Sequence, residues 1–223
     1  MFFIMSISEF EKDAVKTVLL EKGKTFMKCK YFSPLNDGVY ITPVTLDAYC
    51  DELIQNLSRW RSNNQHGFVK KFNITIEGTK TWLDLAVQRR KDRLLFLVFD
   101  CNDKVIGHLG VSSFDFLNKT CEIDNVVRGE ISQLRGVMFS ASKTLIKWID
   151  QFVKPNKIYI RVLNDNTAAL SLYHRLGFVP FQLEGLEKVE YDEVIEWLPV
   201  TNGVIDRLFL KMKLKGKWGE NDN

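Results

Sequence analysis

Asn164-Asp165-Asn166-Thr167-Ala168-Ala169-Leu170-Ser171-Leu172-Tyr173-His174-Arg175-Leu176-Gly177-Phe178 is the stretch on which the fold of this chain turns. Lys157 to Leu163, just before it, reads as a strand. Thr167 to Leu176 reads as a helix, closed by Gly177, because a residue without Cβ suits the left-handed position that ends many helices. Upstream, Pro155-Asn156 stops the clearest helix of the chain, residues 136–152. There Met138, Ala141, Leu145, Trp148, Ile149 and Phe152 recur at three- and four-residue steps and form one apolar stripe. Thr120 to Val127 before it reads as another strand. The unit is therefore strand, long helix, strand, short helix.

Further out, Arg93 to Asp100 and Val105 to Val111 read as a hairpin turning at Cys101-Asn102-Asp103-Lys104. Val39-Tyr40-Ile41 reads as a short strand stopped by Pro43. Thr45 is placed to cap a helix through Leu57, and Thr79 to cap one from Lys80 to about Arg89. Residues 7–22 carry Phe10, Ala14, Val18 and Leu19 near helical spacing, and Arg207 to Leu214 reads as a final strand. Antiparallel strands followed by a strand–helix–strand–helix unit imply an α/β (α+β) domain built on a mixed sheet.

Composition removes several classes. The chain has 223 residues, 45% of them hydrophobic and 26% charged, which suits a core-forming globular domain rather than a disordered segment. A net charge of +3 is too mild to indicate nucleic acid. Cys29, Cys50, Cys101 and Cys121 show no CxxC spacing and lie far in sequence from His66, His108 and His174, so a structural zinc site is not expected. Scattered cysteines of this kind read as reduced, mostly buried thiols, and the expected location is cytoplasmic. The apolar opening Met1 to Met5 is too short for a signal peptide, and the longest apolar runs fall far short of the roughly 20 residues that span a bilayer.

Two segments carry chemistry. Gln133-Leu134-Arg135-Gly136-Val137-Met138 joins the strand at 120–127 to the long helix. Unpaired N–H groups of a first helical turn, with the helix dipole behind them, favour an anion there, and Gly136 lets a phosphate approach the backbone. A longer glycine-rich loop of the GxGxxG or GxxxxGK[ST] kind is absent. On the strand itself, alternation puts Glu122 and Asp124 on one face, where each carboxylate raises the other's pKa and the pair can accept an ammonium.

The quoted stretch resembles the pattern N-x-x-A-x-x-L-Y-x-x-L-G-F of the GNAT superfamily of acyl-CoA-dependent N-acetyltransferases. Gln133-x-x-Gly136-x-Met138 is similar to that superfamily's Q/R-x-x-G-x-G/A pyrophosphate motif, with Met138 in place of the usual Gly or Ala. The resemblance implies a mixed, mostly antiparallel sheet with flanking helices, in which the strands at 120–127 and 157–163 form a splayed parallel pair. It implies an N-terminal helical extension over residues 1–38 and an acetyltransferase domain over 39–223.

It further implies acetyl-CoA as acyl donor and no metal. Val126 and Val127 would meet the pantetheine amides, Gln133, Leu134, Arg135, Gly136, Val137 and Met138 the pyrophosphate, and Asn166, Ala169 and Tyr173 the pantetheine side of the cleft. Tyr173 would protonate the departing thiolate, a role suited to a phenol. Glu122 stands eleven positions before Gln133, the spacing at which histone-modifying members carry their base. Glu122, Asp124 and His108 are all candidate bases, and a positioned water with no single base is another route. The expected reaction is direct attack by a primary amine, since no cysteine lies in either motif.

By analogy the acceptor leans toward an amino sugar, free or nucleotide-linked, with Trp60, Phe68, Phe72 and Trp82 as core or as a platform for the ring. A protein N-terminus, another small amine, and a non-catalytic acyl-CoA sensor are the alternatives. Expected partners are acetyl-CoA and a small amine, with no nucleic acid and no membrane, and a homodimer is left open. The run Arg89-Arg90-Lys91-Asp92-Arg93 reads as solvated surface, or as a contact to a nucleotide phosphate.

Overall fold

The computed structural model describes residues 8–201 and 203–216, so the apolar Met1 to Met5 opening lies outside the described residues. Its elements are α1 (Glu9–Lys22), β1 (Tyr31–Phe32), β2 (Tyr40–Pro43), α2 (Asp51–Asn63), β3 (Lys70–Lys71), α3 (Ile76–Trp82), β4 (Leu94–Phe99), β5 (Val105–Asp115), β6 (Thr120–Arg128), α4 (Val137–Trp148), β7 (Lys157–Leu163), α5 (Thr167–Arg175), β8 (Phe178–Tyr191), β9 (Val194–Pro199) and β10 (Arg207–Leu214). The strands form one sheet in the order β1-β2-β4-β5-β6-β7-β10-β8-β9-β3. Every neighbour pair is antiparallel except β6 and β7, which run parallel.

The sheet is covered on both faces. Leu94, Phe96, Val98, Val111 and Ile123 point to the side where α1 and α4 pack. Leu95, Leu97 and Phe99 point the other way, onto α2 and the turn after α3. Trp148 of α4 is buried edge-on against Phe96, with centroids 5.2 Å apart, and against Tyr31 at 6.4 Å. Helix α1 starts where Ser8 Oγ accepts from the Glu11 amide at 3.2 Å, with Glu9 and Glu11 near the positive end of its dipole. Its Phe10, Ala14 and Val18 enter the same core as α4.

Several boundaries differ from expectation. Thr45 precedes only a short 3₁₀ turn, Leu46–Ala48, and α2 starts later at Asp51 and runs to Asn63. Thr75, not Thr79, caps α3: Thr75 Oγ1 accepts from the Gly78 amide at 3.0 Å, while Thr79 is buried and donates back to the Thr75 carbonyl. A threonine can satisfy a backbone group either at a cap or one turn inside a helix, and the sequence pattern alone does not separate the two. Both α3 and α4 widen into π-helical turns, Leu83–Gln88 and Ile149–Val153. Pro43 is the last residue of β2, pairing with Phe96, and the strand stops there as expected. The hairpin β8–β9 and the short β3 extend the sheet beyond the strands legible in the sequence.

Candidate active site

The site begins with a fault in the sheet. Strands β6 and β7 pair from Thr120–Lys157 to Ile123–Ile160, and no further. On its other side β6 pairs His108 with Val127 and Gly110 with Asp124, so Asn125 and Val126 together stand opposite Leu109. That extra residue is a bulge, and Asn125 takes the left-handed conformation it needs (φ 51°). A bulge bends its strand, and here β6 turns away from β7 where their pairing stops. It also reverses alternation: Ile123 faces the α4 side and Val127 faces the α2 side.

Two cavities meet in the opening. The first, about 280 Å³, is lined by Glu122, Asp124 and Val127 of β6, Arg161 of β7, Phe209 of β10 and the loop through Phe68. The second, about 360 Å³, is lined by Gly136, Val137 and Met138 at the start of α4, with Arg175 of α5 and Arg128. Asn64, His66, Val126, Asn166, Ala169 and Tyr173 line both.

Helix α5 positions Tyr173. Asn166 Oδ1 caps it by accepting from the Ala169 amide at 3.2 Å. Tyr173 is 6% exposed and packs on Phe178. Burial, with the Asp124 charge as a second cause, pushes its phenol well above the ordinary value, so it keeps its proton at neutral pH.

The carboxylates face the cavity with different partners. Glu122 Oε1 accepts from Arg161 Nε at 2.8 Å, and burial raises the Glu122 carboxyl despite that arginine. Asp124 Oδ2 accepts from Arg93 Nη2 at 2.6 Å and from Ser112 Oγ at 2.7 Å, while its buried Oδ1 has no hydrogen-bond partner among the described residues. Arg93 thus leaves the basic run of the sequence and enters the site. Elsewhere in that run Arg89 pairs with Asp84 at 2.8 Å, and Arg90 Nε donates to Asp92 at 2.7 Å.

His108 lines neither cavity. It is fully buried beside Trp60 and Trp82, with ring centroids 6.3 and 6.4 Å away, and among the described residues neither ring nitrogen has a hydrogen-bond partner. Burial pushes its pKa down to about 4, so it is neutral at pH 7.

At the start of α4, Gly136 sits at the N-cap with φ 81°; a Cβ there would touch nothing, so the backbone conformation is what favours glycine. Among the described residues no side chain caps that first turn. The loop before it is pinned. Gly129 and Glu130 amides both donate to the Ile106 carbonyl at 2.8 Å, and a Cβ on Gly129 would lie 2.1 Å from the Trp60 ring. Ser132 Oγ takes the Leu134 amide at 3.1 Å, which leaves that amide engaged within the loop. Gln133 and Arg135 are exposed, and with Leu134 they line neither cavity.

The structure therefore gathers Glu122, Asp124, Val126, Val127, Gly136, Val137, Met138, Asn166, Ala169 and Tyr173 in one opening and leaves Gln133, Leu134, Arg135 and His108 outside its lining. Sequence reasoning missed Arg161, Arg128, Arg175 and the loop from Asn64, and it read Arg93 as surface or a phosphate contact rather than as the partner of Asp124. For Arg175 a signal existed: Ala168, Leu172 and Arg175 share one helical face.

No curated protein matches the chain in sequence. Among solved structures, the spermidine N-acetyltransferase from Vibrio cholerae, in complex with CoA and spermine, superimposes with a TM-score of 0.60 at 17% identity, over 80% of this chain and 96% of that one. RimL, a ribosomal L7/L12 alpha-N-protein acetyltransferase in complex with coenzyme A, gives a TM-score of 0.60 at 16% identity, over 82% of this chain and 96% of that one. Residues 40–179 match the acetyltransferase (GNAT) domain family, which spans the split strand pair and both helices that frame the opening. This chain belongs to the GNAT family of acetyltransferases.

Proposed function

We propose that the protein transfers an acetyl group from acetyl-CoA to a small primary amine by direct attack within a ternary complex. The observation that carries this reading is the separation of β6 from β7 beyond Ile123–Ile160, with Tyr173 at the junction of the two cavities. The pantetheine arm lies in that gap and bonds strand amides that have no partner strand. The pyrophosphate rests on the uncapped first turn of α4, with Arg128 and Arg175 close by. That two GNAT relatives of the same fold are structures with CoA is consistent with this placement.

The amine enters from the β10 side, where Glu122 takes its proton directly or through water. The nitrogen attacks the thioester carbon, and the amide of Val126, a residue left without a cross-strand partner by the bulge, stabilises the oxyanion. The carbon–sulfur bond then breaks, Tyr173 gives its proton to the departing thiolate, and the second proton of the acylated nitrogen passes through water to restore the tyrosine. Among the described residues no cysteine lines either cavity, and burial raises the Cys121 thiol, so nothing in the opening competes with the amine for the acyl group.

Of the four aromatics that could serve a sugar ring, Phe68 alone lines either cavity, and it is partly buried. Trp60 is fully buried and Trp82 lies under the Arg61 guanidinium at 4.4 Å, so neither offers an open platform. The reading therefore stops at a small primary amine rather than an amino sugar.

Isothermal titration with acetyl-CoA beside a thiol-release assay tests it. Both the parent and Tyr173→Phe should bind acetyl-CoA, and turnover by the variant should fall about a hundredfold. Absence of binding by the parent overturns the reading. Binding without turnover of any amine leaves only a sensor.

A further inference from the structure

We propose that Arg161 makes the enzyme select amines that also carry an anionic group, a carboxylate or a phosphate. The inference rests on the acetyl-transfer reading above and names its acceptor class. Arg161 is the first residue of β7 beyond the last β6–β7 pair, so its side chain stands where the gap opens. It is fixed from two sides. Nε donates to Glu122 Oε1 at 2.8 Å, and the guanidinium lies 5.7 Å from the centroid of the Phe209 ring. Nη1 and Nη2 make no hydrogen bond to the described residues, and the side chain is 45% exposed where it lines the acceptor cavity. A guanidinium held in place with its outer donors free is a fork that fits a carboxylate or phosphate.

The charge around it points the same way. Asp124 is held by Arg93 and Glu122 by Arg161, so the two acids of the cavity are matched by two arginines. The remaining nearby acid, Glu184, is paired with Lys211 at 3.4 Å. A polycation meets no excess of negative charge here. An amine with an anionic substituent can present its nitrogen toward Glu122 and Tyr173 while its anion takes the open side of Arg161.

Thiol release from acetyl-CoA should be measured with four acceptors: propylamine, β-alanine, O-phosphoethanolamine and spermidine. Two variants, Arg161→Met and Arg161→Lys, run beside the parent, with acetyl-CoA titrations to confirm that each is folded. The readout is the ratio of kcat/KM for an anionic acceptor to that for propylamine. The ratio cancels any effect of the substitution on Glu122, because all acceptors share that group. The parent should prefer at least one anionic acceptor on the order of tenfold, Arg161→Met should bring the ratio near one, and Arg161→Lys should restore part of it. Preference for only β-alanine or only O-phosphoethanolamine identifies the anion as carboxylate or phosphate. Equal use of all four, a preference for spermidine, or a preference unchanged in Arg161→Met overturns the inference while leaving acetyl transfer intact. Turnover of none of the four by a parent that binds acetyl-CoA overturns both.

Discussion

At the scale of single residues, the two cavity carboxylates are distinguishable by experiment. Burial raises the Glu122 carboxyl, so the acid limb of the kcat/KM profile should lie above the ordinary carboxylate range, and activity should grow as pH rises through it. Glu122→Gln should lower kcat/KM about a hundredfold at pH 7 and abolish that limb; an unchanged limb would move the base elsewhere. His108 gives a second pH effect, on stability. Its folded pKa of about 4 lies below the unfolded value of 6.5. The stability it contributes is therefore present above pH 6.5 and lost as pH falls toward 4, by about 3 kcal/mol. Urea denaturation at pH 7, 5.5 and 4 should show that loss in the parent and a flatter dependence in His108→Leu. Why His108 could not be placed from sequence is physical. A strand histidine between glycines reads alike whether its face looks into a cleft or, as here, onto two indoles.

Among the elements, β6 and α4 carry most of the consequence. The bulge needs a residue that tolerates positive φ, so Asn125→Val should cost about 1–2 kcal/mol more than Asn125→Gly by chemical denaturation. Equal costs would mean that the bulge relaxes without strain. Helix α4 was legible over its regular turns, where the stripe from Met138 to Trp148 recurs, but not in the π-helical turn Ile149–Val153 that follows, and Trp148→Ala should remove about 3–5 kcal/mol in the same assay. The hairpin β8–β9 was not. Pro180 and Gly185 interrupt β8, and its exposed outer positions offer no clean apolar alternation; Leu186 is its one buried residue after Phe178. The bulge was illegible for a related reason. Strict alternation through Asn125-Val126-Val127 predicts a straight strand, and only the register against β5 reveals the additional residue.

For the whole molecule, the motif around Tyr173 made the family readable, whereas the arginines that set the charge of the cavity come from distant positions that only folding brings together. Arg93 lies 31 positions from the aspartate it holds, and Arg161 lies 39 from its glutamate. Arg175→Ala should weaken acetyl-CoA binding several-fold, with a smaller loss at high salt than at low salt, as titration calorimetry at two ionic strengths would show. The split between β6 and β7 has one more consequence. Beyond Ile123 and Ile160 the two strands present facing edges whose hydrogen-bonding groups are left for a guest chain to fill. On the proposed reading a bound pantetheine arm does the work of a missing strand, and the free enzyme is a sheet awaiting its seam. Deuterium uptake should accordingly fall on donor binding at Asp124–Arg128 and Arg161–Leu163, while the closed β4–β5 hairpin keeps its exchange rate.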